Sequence, residues 1–536
     1  MTDALKQALE ATRANYEAER LWSTFLLDAY TGGGGFQGSV RQPDAGWWGA
    51  ASTRYAPSNA LYSRDDSSLP ETYLDRFPRE DAPKFKGRIA VSHYWNFVGP
   101  LTDLKLSYML RKAFAYDGQP DELAAWREDV DGQGTTWDEL RPLVALMAAL
   151  WGWTPVLVDM DPAPEGMSRA QAADLGLGKP RAIPLTPANL RDWSHDGKGF
   201  TWVKVRTDHV EQEAWNAKAT QVARYTIWTP ETVDVYEVRE TDGKDAEVRF
   251  VRTGTHPFGQ VPIAIFRHSR CPGDDVRGLP MHAGPAVASK RLFNLLSERD
   301  EHIRQQVFAI LVMVREGEGA VTLGTDNGLG LSPEAKNQHY YLSPDPGIAT
   351  TYKEAIEAEI KDGIYRPARV EFSRPTAAAV SGTARAYEFA QTNRAIADFA
   401  GEYARGEAWM DEIAWAGLGK DPSKLDNYSV GAPKSFDIED MASEIKNTLD
   451  AISADLGATM EARLKYRLAQ HLDPDMPADV LAEVEAELED AAAQSQADRA
   501  MARELLNQPP SSDEDADEDA DPNADTNQPP APPPPG

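Results

Sequence analysis

Residues 285–314, PAVASKRLFNLLSERDEHIRQQVFAILVMV, hold no glycine and, after Pro285, no proline. With nothing to interrupt it, the spacing predicts one continuous helix, a rod of roughly 30 residues and about 45 Å at 1.5 Å per residue. A Gly/Pro-punctuated strand, residues 261–266, leads into it through a loop. A rod of that length on a β-rich body suits a part of an assembly better than an enzyme, and no catalytic constellation accompanies it.

The rest of the chain has to supply the body. At 536 residues, 41% hydrophobic and with 14 Trp, it has the material for about two to four sub-domains. Lys+Arg 55 against Asp+Glu 85 gives a net charge of −30; the tail from Ser511 to Gly536 carries eight acids and no base, which leaves −22 on the body. Such a body repels nucleic acid on average and does not steer DNA toward itself. It can still surround DNA loosely, because repulsion from all sides discourages sticking. Cys271 is the only cysteine, so an intrachain disulfide is impossible and thiolate zinc is disfavoured; a reducing cytoplasm is the simplest compartment. The N-terminus reads as a polar helix and not a signal peptide, and no run of 18 apolar residues appears, so no membrane partner is expected.

Along the chain, residues 3–29 read as helix, broken by the glycines of 31–35, and 32–90 is loop-heavy. A helical pattern returns over 92–115. Thr135 or Thr136 is placed to cap a helix through Leu150, with Asp138 and Glu139 in its first turn, where the helix dipole favours acids. A short buried strand is expected at 154–159. Residues 200–206, 223–229, 232–238 and 247–253 read as strands, with a hairpin turn at Asp242-Gly243. Residues 316–347 could hold short strands at 320–323 and 338–342. An amphipathic helix is expected at 350–365 and a long one over 381–416. Residues 437–507 read as helical with breaks at Gly457 and 473–477. The acidic, proline-rich remainder cannot bury enough surface to fold.

Individual motifs carry little chemistry. The glycine run at 31–35 lacks the Lys-Ser/Thr of a P-loop, and G-x-S-x-G and H-E-x-x-H are absent. Asp129-Val-Asp131-Gly-Gln-Gly134 resembles the start of a calcium loop, but Leu140 stands where the closing acid belongs, so a turn before the next helix is the better reading. His256, His268, Cys271 and His282 match no metal-ligand spacing and read as surface loop. No cofactor is expected. Arg366, Arg369 and Arg374 form a basic, proline-containing loop in an acidic protein; it is either an ordinary exposed loop or one that approaches phosphates.

Several segments in this order resemble a tailed-bacteriophage portal (head-to-tail connector) protein. Residues 131–159 resemble the helix-plus-LVD-strand unit of portal wings. Residues 223–238 are similar to the paired wing strands, and 256–267, HPFGQVPIAIFR, to the strand that enters the stem helix. The resemblance covers about residues 80–507 and lies in order and size, with no single diagnostic motif. It implies an α+β portal fold. Residues 1–284 would be the N-terminal region and mixed wing, 285–315 the first stem helix, 316–348 the small clip and 349–365 the second stem helix. Residues 366–380 would be a tunnel loop presenting Arg366, Arg369 and Arg374 to DNA. Wing helix and return would take 381–436, a helical crown 437–507 and a disordered tail 508–536. It implies no enzyme activity but a homo-oligomeric ring, usually twelve-fold, at one capsid vertex of the virion, assembled in the host cytoplasm. Its expected partners are double-stranded DNA bound without sequence preference, the terminase large subunit, the major capsid protein and a head–tail adaptor. A hydrolase using an acid pair, or another head structural protein, is the alternative.

Overall fold

The computed structural model describes residues 2–36, 72–160 apart from 79, 178–239 apart from 213–214 and 217–219, 247–307, 310–314, 328–331, 340–342, 347–370, 382–433, 436, 448–452, 457–472 and 478–506. The fold is α+β, and contacts divide it into Met1–Asp437 and Ile438–Gly536. The expectations for Asp242-Gly243, for a strand at 320–323 and for the tail lie outside the described residues. No helix among the described residues is long and apolar enough to cross a membrane.

The single N-terminal helix predicted over 3–29 is two, α1 (Thr2–Glu10) and α2 (Tyr16–Thr31). They part at Asn15, which sits at φ 66°, a left-handed conformation that asparagine tolerates better than most residues. The two helices serve different cores. Leu9 of α1 packs with Tyr225 and Val238 on the large sheet. Phe25, Leu26 and Ala29 of α2 pack with Phe85, Val98 and Phe293. Between them, the Arg13 N–H donates to the Arg191 carbonyl at 3.2 Å and the Arg13 guanidinium lies 3.9 Å from the Trp193 ring centre. A straight helix could not meet both surfaces.

Helix α3 (Ala82–Val91) is capped by the Asp81 side chain, which accepts from the Lys84 N–H at 2.7 Å. It carries Arg88 inward to Glu80 at 2.8 Å, with both side chains 2% exposed. Helix α4 (Val98–Leu110) is shorter than the predicted 92–115, because β1 (Ala115–Asp117) begins there and pairs with a strand near the end of this unit. After α5 (Asp121–Arg127), the side chains of Asp129 and Asp131 accept backbone N–H groups of Gln133, Gly134 and Thr135, so this loop is a turn held by its own acids. Thr136 then opens α6 (Trp137–Trp151) with a capping box: Thr136 Oγ1 accepts the Glu139 N–H at 3.2 Å and Glu139 accepts the Thr136 N–H at 2.9 Å.

The strands follow the β-branched and aromatic clusters. β2 (Trp153–Asp159) is the centre of a three-stranded antiparallel sheet, between β3 (Arg181–Pro184) and β9 (Ile263–Arg267). Six of its seven residues are buried, as a continuous apolar run requires. β4 (Leu190–His195), β5 (Phe200–Glu211), β6 (Thr220–Trp228), β7 (Thr232–Arg239) and β8 (Glu247–Thr255) make an antiparallel meander in that order. β10 (Arg270–Cys271) and β11 (Asp274–Gly278) form a small hairpin. One apolar core joins these sheets to α6 and to a long helix further on.

The predicted rod over 285–314 is corrected. Helix α7 (Ala283–Val307) has 25 residues, about 37 Å, and 310–314 is instead strand β12 (Ile310–Val314). The run Ile-Leu-Val-Met-Val, β-branched at Ile310, Val312 and Val314, prefers a pleated sheet, yet no glycine or proline marks the change. β12 is central in a sheet with β13 (Gly328–Leu331), parallel to it, and β14 (Tyr340–Leu342), antiparallel. The chain returns through α8 (Gly347–Ala358), continued by a π-helical segment Glu359–Tyr365, and then α9 (Gly382–Gly417), 36 residues long. β15 (Ser429–Gly431) pairs with β1.

The second unit contains α10 (Ala458–Leu472) and α11 (Ala478–Leu506), joined by Gln496 donating to Thr459 at 2.7 Å. Among its described side chains, Ala458 alone is buried.

Candidate functional site

Helix α7 pairs with α8 and its π-helical continuation. Leu292, Leu296, Ile356, Ile360 and Ile364 of the two elements form one apolar seam with Leu101 of α4. Each fully buried Leu or Ile contributes about 1.5–3 kcal/mol, so the seam is firm. The backbones approach closely at Gly363, where an added Cβ would lie 3.0 Å from Ala288 Cβ. Arg291 of α7 and Glu359 bridge the pair at 3.3 Å. The three-stranded sheet β13-β12-β14 is the connection between these helices.

The three arginines singled out in the sequence follow this helix pair. Arg366 is highly exposed and lies 3.9 Å from Asp362, an i,i+4 surface pair of little energetic weight. Arg369 is exposed and sits at φ 54°, in the left-handed region where an arginine is strained, and its carbonyl accepts the Thr392 hydroxyl of α9. Arg374 lies outside the described residues.

Arg369 belongs to a cationic group that the sequence reading missed. Its turn rests on the head of α7: a Cβ built on Gly284 would lie 3.8 Å from Pro367. Lys105 of α4 points inward with Leu101 and Thr102 and is 6% exposed. Burial lowers its pKa to about 8, and Arg369 adds to that. His282, just before α7, is 4% exposed, and burial, then Lys105 and His268, lower it to about 3. The Leu101 carbonyl is the backbone partner of this ring and opposes the shift, although neither ring nitrogen makes a hydrogen bond of standard geometry. His268 is half-buried; its Nδ1 donates to the Leu279 carbonyl at 3.0 Å, and burial, then Lys105 and Arg369, lower it to about 4. The backbone explains the convergence. The His268 N–H donates to the Gly152 carbonyl at 2.9 Å and the Met281 N–H to the Ala149 carbonyl at 2.9 Å, which clamps this segment onto the end of α6. Gly152 is at φ 86°, and a Cβ there would meet the Gly278 carbonyl oxygen at 2.6 Å.

The surface-loop expectation for His256, His268, Cys271 and His282 is corrected: His282 is buried and the other three are half-buried, and their contacts are separate. His256 binds the Thr229 carbonyl at 2.9 Å against the Trp228 ring, while Cys271 lies in the β10–β11 hairpin. Among the described residues, His209, Glu211 and Glu237 come together on the large sheet with metal-like spacing. Arg224 meets Glu237 at 2.7 Å and Arg239 meets Glu211 at 3.0 Å, so cations already occupy that group. An open cavity of about 440 Å³ beside Lys198, Arg267, Arg270 and Trp409 is likewise committed. Arg267 donates to the Val276 carbonyl at 3.0 Å and Arg270 pairs with Glu402 at 3.1 Å.

A buried acid pair does exist. Glu407 and Asp411, one turn apart on α9, have fully buried side chains. Glu407 Oε1 accepts from Arg127 at 2.9 Å, Arg141 at 3.1 Å and Tyr116 at 2.7 Å, and also from the Trp137 ring N–H; Asp411 is held by Arg127 and Tyr428. Burial pushes the Asp411 carboxyl up to about 7 against the pull of Arg127. This arrangement ties α5, α6 and α9 together.

No family model and no curated protein matches the chain. Among solved structures it is similar to a chain in the neck of a native GTA particle computed with C12 symmetry. That likeness has 14% identity and a TM-score of 0.32, covering 67% of this chain and 85% of that one. A chain in the neck of an empty GTA particle computed with C6 symmetry gives 16% identity and a TM-score of 0.31, with 67% and 87% covered.

Proposed function

We propose that this chain is a structural protein of a phage-like particle and acts as its portal, a ring at one vertex through which double-stranded DNA enters and leaves. The observation that carries the reading is the α7–sheet–α8 unit. Two firmly paired helices, with a small sheet among the described residues between them, are inserted between a mixed α/β body and the long helix α9. In a ring, α7 and α8 of successive copies would wall a channel, and the sheet would form its narrow outer end. The C-terminal unit adds support: two helices with one buried described side chain need neighbours to cover them. A cyclic, head-to-tail arrangement, usually of twelve copies, provides such neighbours.

The charge suits a conduit. Each neutralised phosphate adds affinity and hence friction, so a net charge of −30 favours passage over capture. Arg366, Arg369 and Arg374 would touch the DNA backbone without reading sequence. The terminase large subunit, the major capsid protein and a head–tail adaptor are the partners of this role.

The test is the assembled mass and symmetry of the full-length protein by sedimentation and electron microscopy, alongside images of the particle vertex. Rings with a central hole wide enough for duplex are expected. A monomer in solution together with a vertex ring built of some other chain would retire the proposal. Reversing Arg366, Arg369 and Arg374 to Glu together should impair DNA packaging or retention; unchanged packaging would remove the arginines from the channel and leave the ring intact.

A further inference from the structure

The open cavity of about 440 Å³ is walled by the β4–β5 turn, the end of β9, the β10–β11 hairpin and α9. That volume lies within the range of about 300–1,000 Å³ that small-molecule sites occupy. The bonds already made by its arginines fix them without exhausting them. Arg267 donates from Nε to the Val276 carbonyl and from Nη2 to the Asp275 carbonyl, and carbonyls orient a guanidinium without cancelling its charge. Arg270 meets Glu402 through Nε, so its outer nitrogens stay available. Lys198 stands in a turn that Asp196 holds, accepting the Lys198 N–H at 2.8 Å and the Gly199 N–H at 3.0 Å. The Gly197 N–H donates to His195 Nδ1 at 3.0 Å, so the neutral ring carries its proton on Nε2. The aromatic wall is Trp409. Its Nε1–H donates to Gln260 at 3.3 Å, and its ring stacks on Phe200 with 13° between planes and 6.3 Å between centres. Of the two acids in the lining, Asp274 is taken by the Arg277 side chain at 2.6 Å and by two backbone N–H groups. A fixed aromatic ring and several cations around one cavity match a nucleotide, whose base stacks and whose phosphate takes charge-assisted hydrogen bonds.

We propose that this cavity binds a free nucleoside monophosphate, with the base on the Trp409 ring and the phosphate held by Lys198, Arg267 and Arg270. His195 Nε2 adds a donor, and the Asp275 carboxylate accepts from the sugar hydroxyl groups. The prior bonds of Arg267 and Trp409 make the site pre-formed, so little side-chain freedom is lost when it fills. Cys271, the sole cysteine of the chain and half-buried, lines the same cavity and reports its occupancy. One chain supplies every group, so the inference goes beyond the ring reading and does not depend on it.

The experiment uses the full-length protein and its Lys198→Met and Arg270→Gln variants, both changed at exposed side chains so that the fold is kept. Adenosine 5′-monophosphate, thymidine 5′-monophosphate, adenosine and inorganic phosphate are titrated separately by calorimetry at fixed ionic strength. Alkylation of Cys271 by iodoacetamide is timed by mass spectrometry with and without each compound. At least one monophosphate is expected to bind wild type with a Kd below about 1 mM, with adenosine and phosphate each weaker by about tenfold or more. The bound monophosphate slows Cys271 alkylation by about threefold or more, in step with its occupancy. Each variant weakens monophosphate binding by about tenfold and loses the protection of Cys271 at the same concentration. Absence of monophosphate binding up to about 10 mM overturns the proposal, as does binding that leaves Cys271 alkylation unchanged or is equal in wild type and both variants. Inorganic phosphate binding as tightly as the monophosphates also overturns it, since the Trp409 ring then takes no base. Rings without nucleotide binding would end this inference alone, and nucleotide binding without rings would end the portal reading alone.

Discussion

Charged groups inside the core set the behaviour of single residues here. Glu407 is contacted by both Arg127 and Arg141, so Glu407→Ala leaves two buried cations without their shared acid. Loss of one partner from a buried pair costs about 3–5 kcal/mol, and urea unfolding should show a loss of that size. A loss below about 1 kcal/mol would mean that the network relaxes into solvent. The histidines give a pH effect of definite sign. His268 and His282 have folded pKa values lowered to about 4 and about 3, below the ordinary 6.5. As pH falls below 6.5 the unfolded chain takes up protons that the native chain refuses. Their stabilisation is therefore full above pH 6.5 and is lost toward pH 4. The loss of unfolding free energy between pH 7 and pH 5 should be about 2–4 kcal/mol larger in wild type than in the His268→Gln, His282→Gln double variant, as read from urea unfolding at the two pH values. None of these partners was visible in the sequence, because Arg127 and Glu407 are 280 positions apart and the burial of His282 is set by the packing of distant segments.

Elements were more legible than contacts, and the errors have physical causes. The capping box at Thr136 and the strand at β2 announce themselves locally, through a hydroxyl three residues before a glutamate and through an unbroken apolar run. The end of α7 does not, since a helix and a strand are both compatible with an apolar run that lacks glycine and proline. The split of α1 from α2 was hidden because the two surfaces they cover lie elsewhere in the chain. The helix pair itself offers a direct check. Gly363→Leu forces a side chain into the space held by Ala288, and overpacking of this kind costs about 1–3 kcal/mol. The same variant should disturb assembly if α7 and α8 form a wall, and sedimentation of the folded variant reads that separately from its unfolding midpoint.

At the scale of the whole molecule, charge is the dominant property. Copies that each carry −30 repel one another, and salt screens that repulsion over about 8–10 Å at physiological ionic strength. Assembly of this chain with itself should therefore strengthen as salt rises from about 0.02 to about 0.5 M, as measured by sedimentation. Weakening over the same range would place attractive ion pairs at the contact between copies.

Local chemistry in the chain was enough to mark where helices begin, where a buried strand runs, and that the whole is acidic and α+β. Those properties depend on neighbours within a few positions or on simple sums of charge. The length of α7, the two cores served by α1 and α2, the arginines that neutralise Glu407 and the burial of His282 were decided only when distant segments packed. Burial changes the cost of a charge by several kcal/mol, and burial is a property of the folded chain and not of any stretch of it.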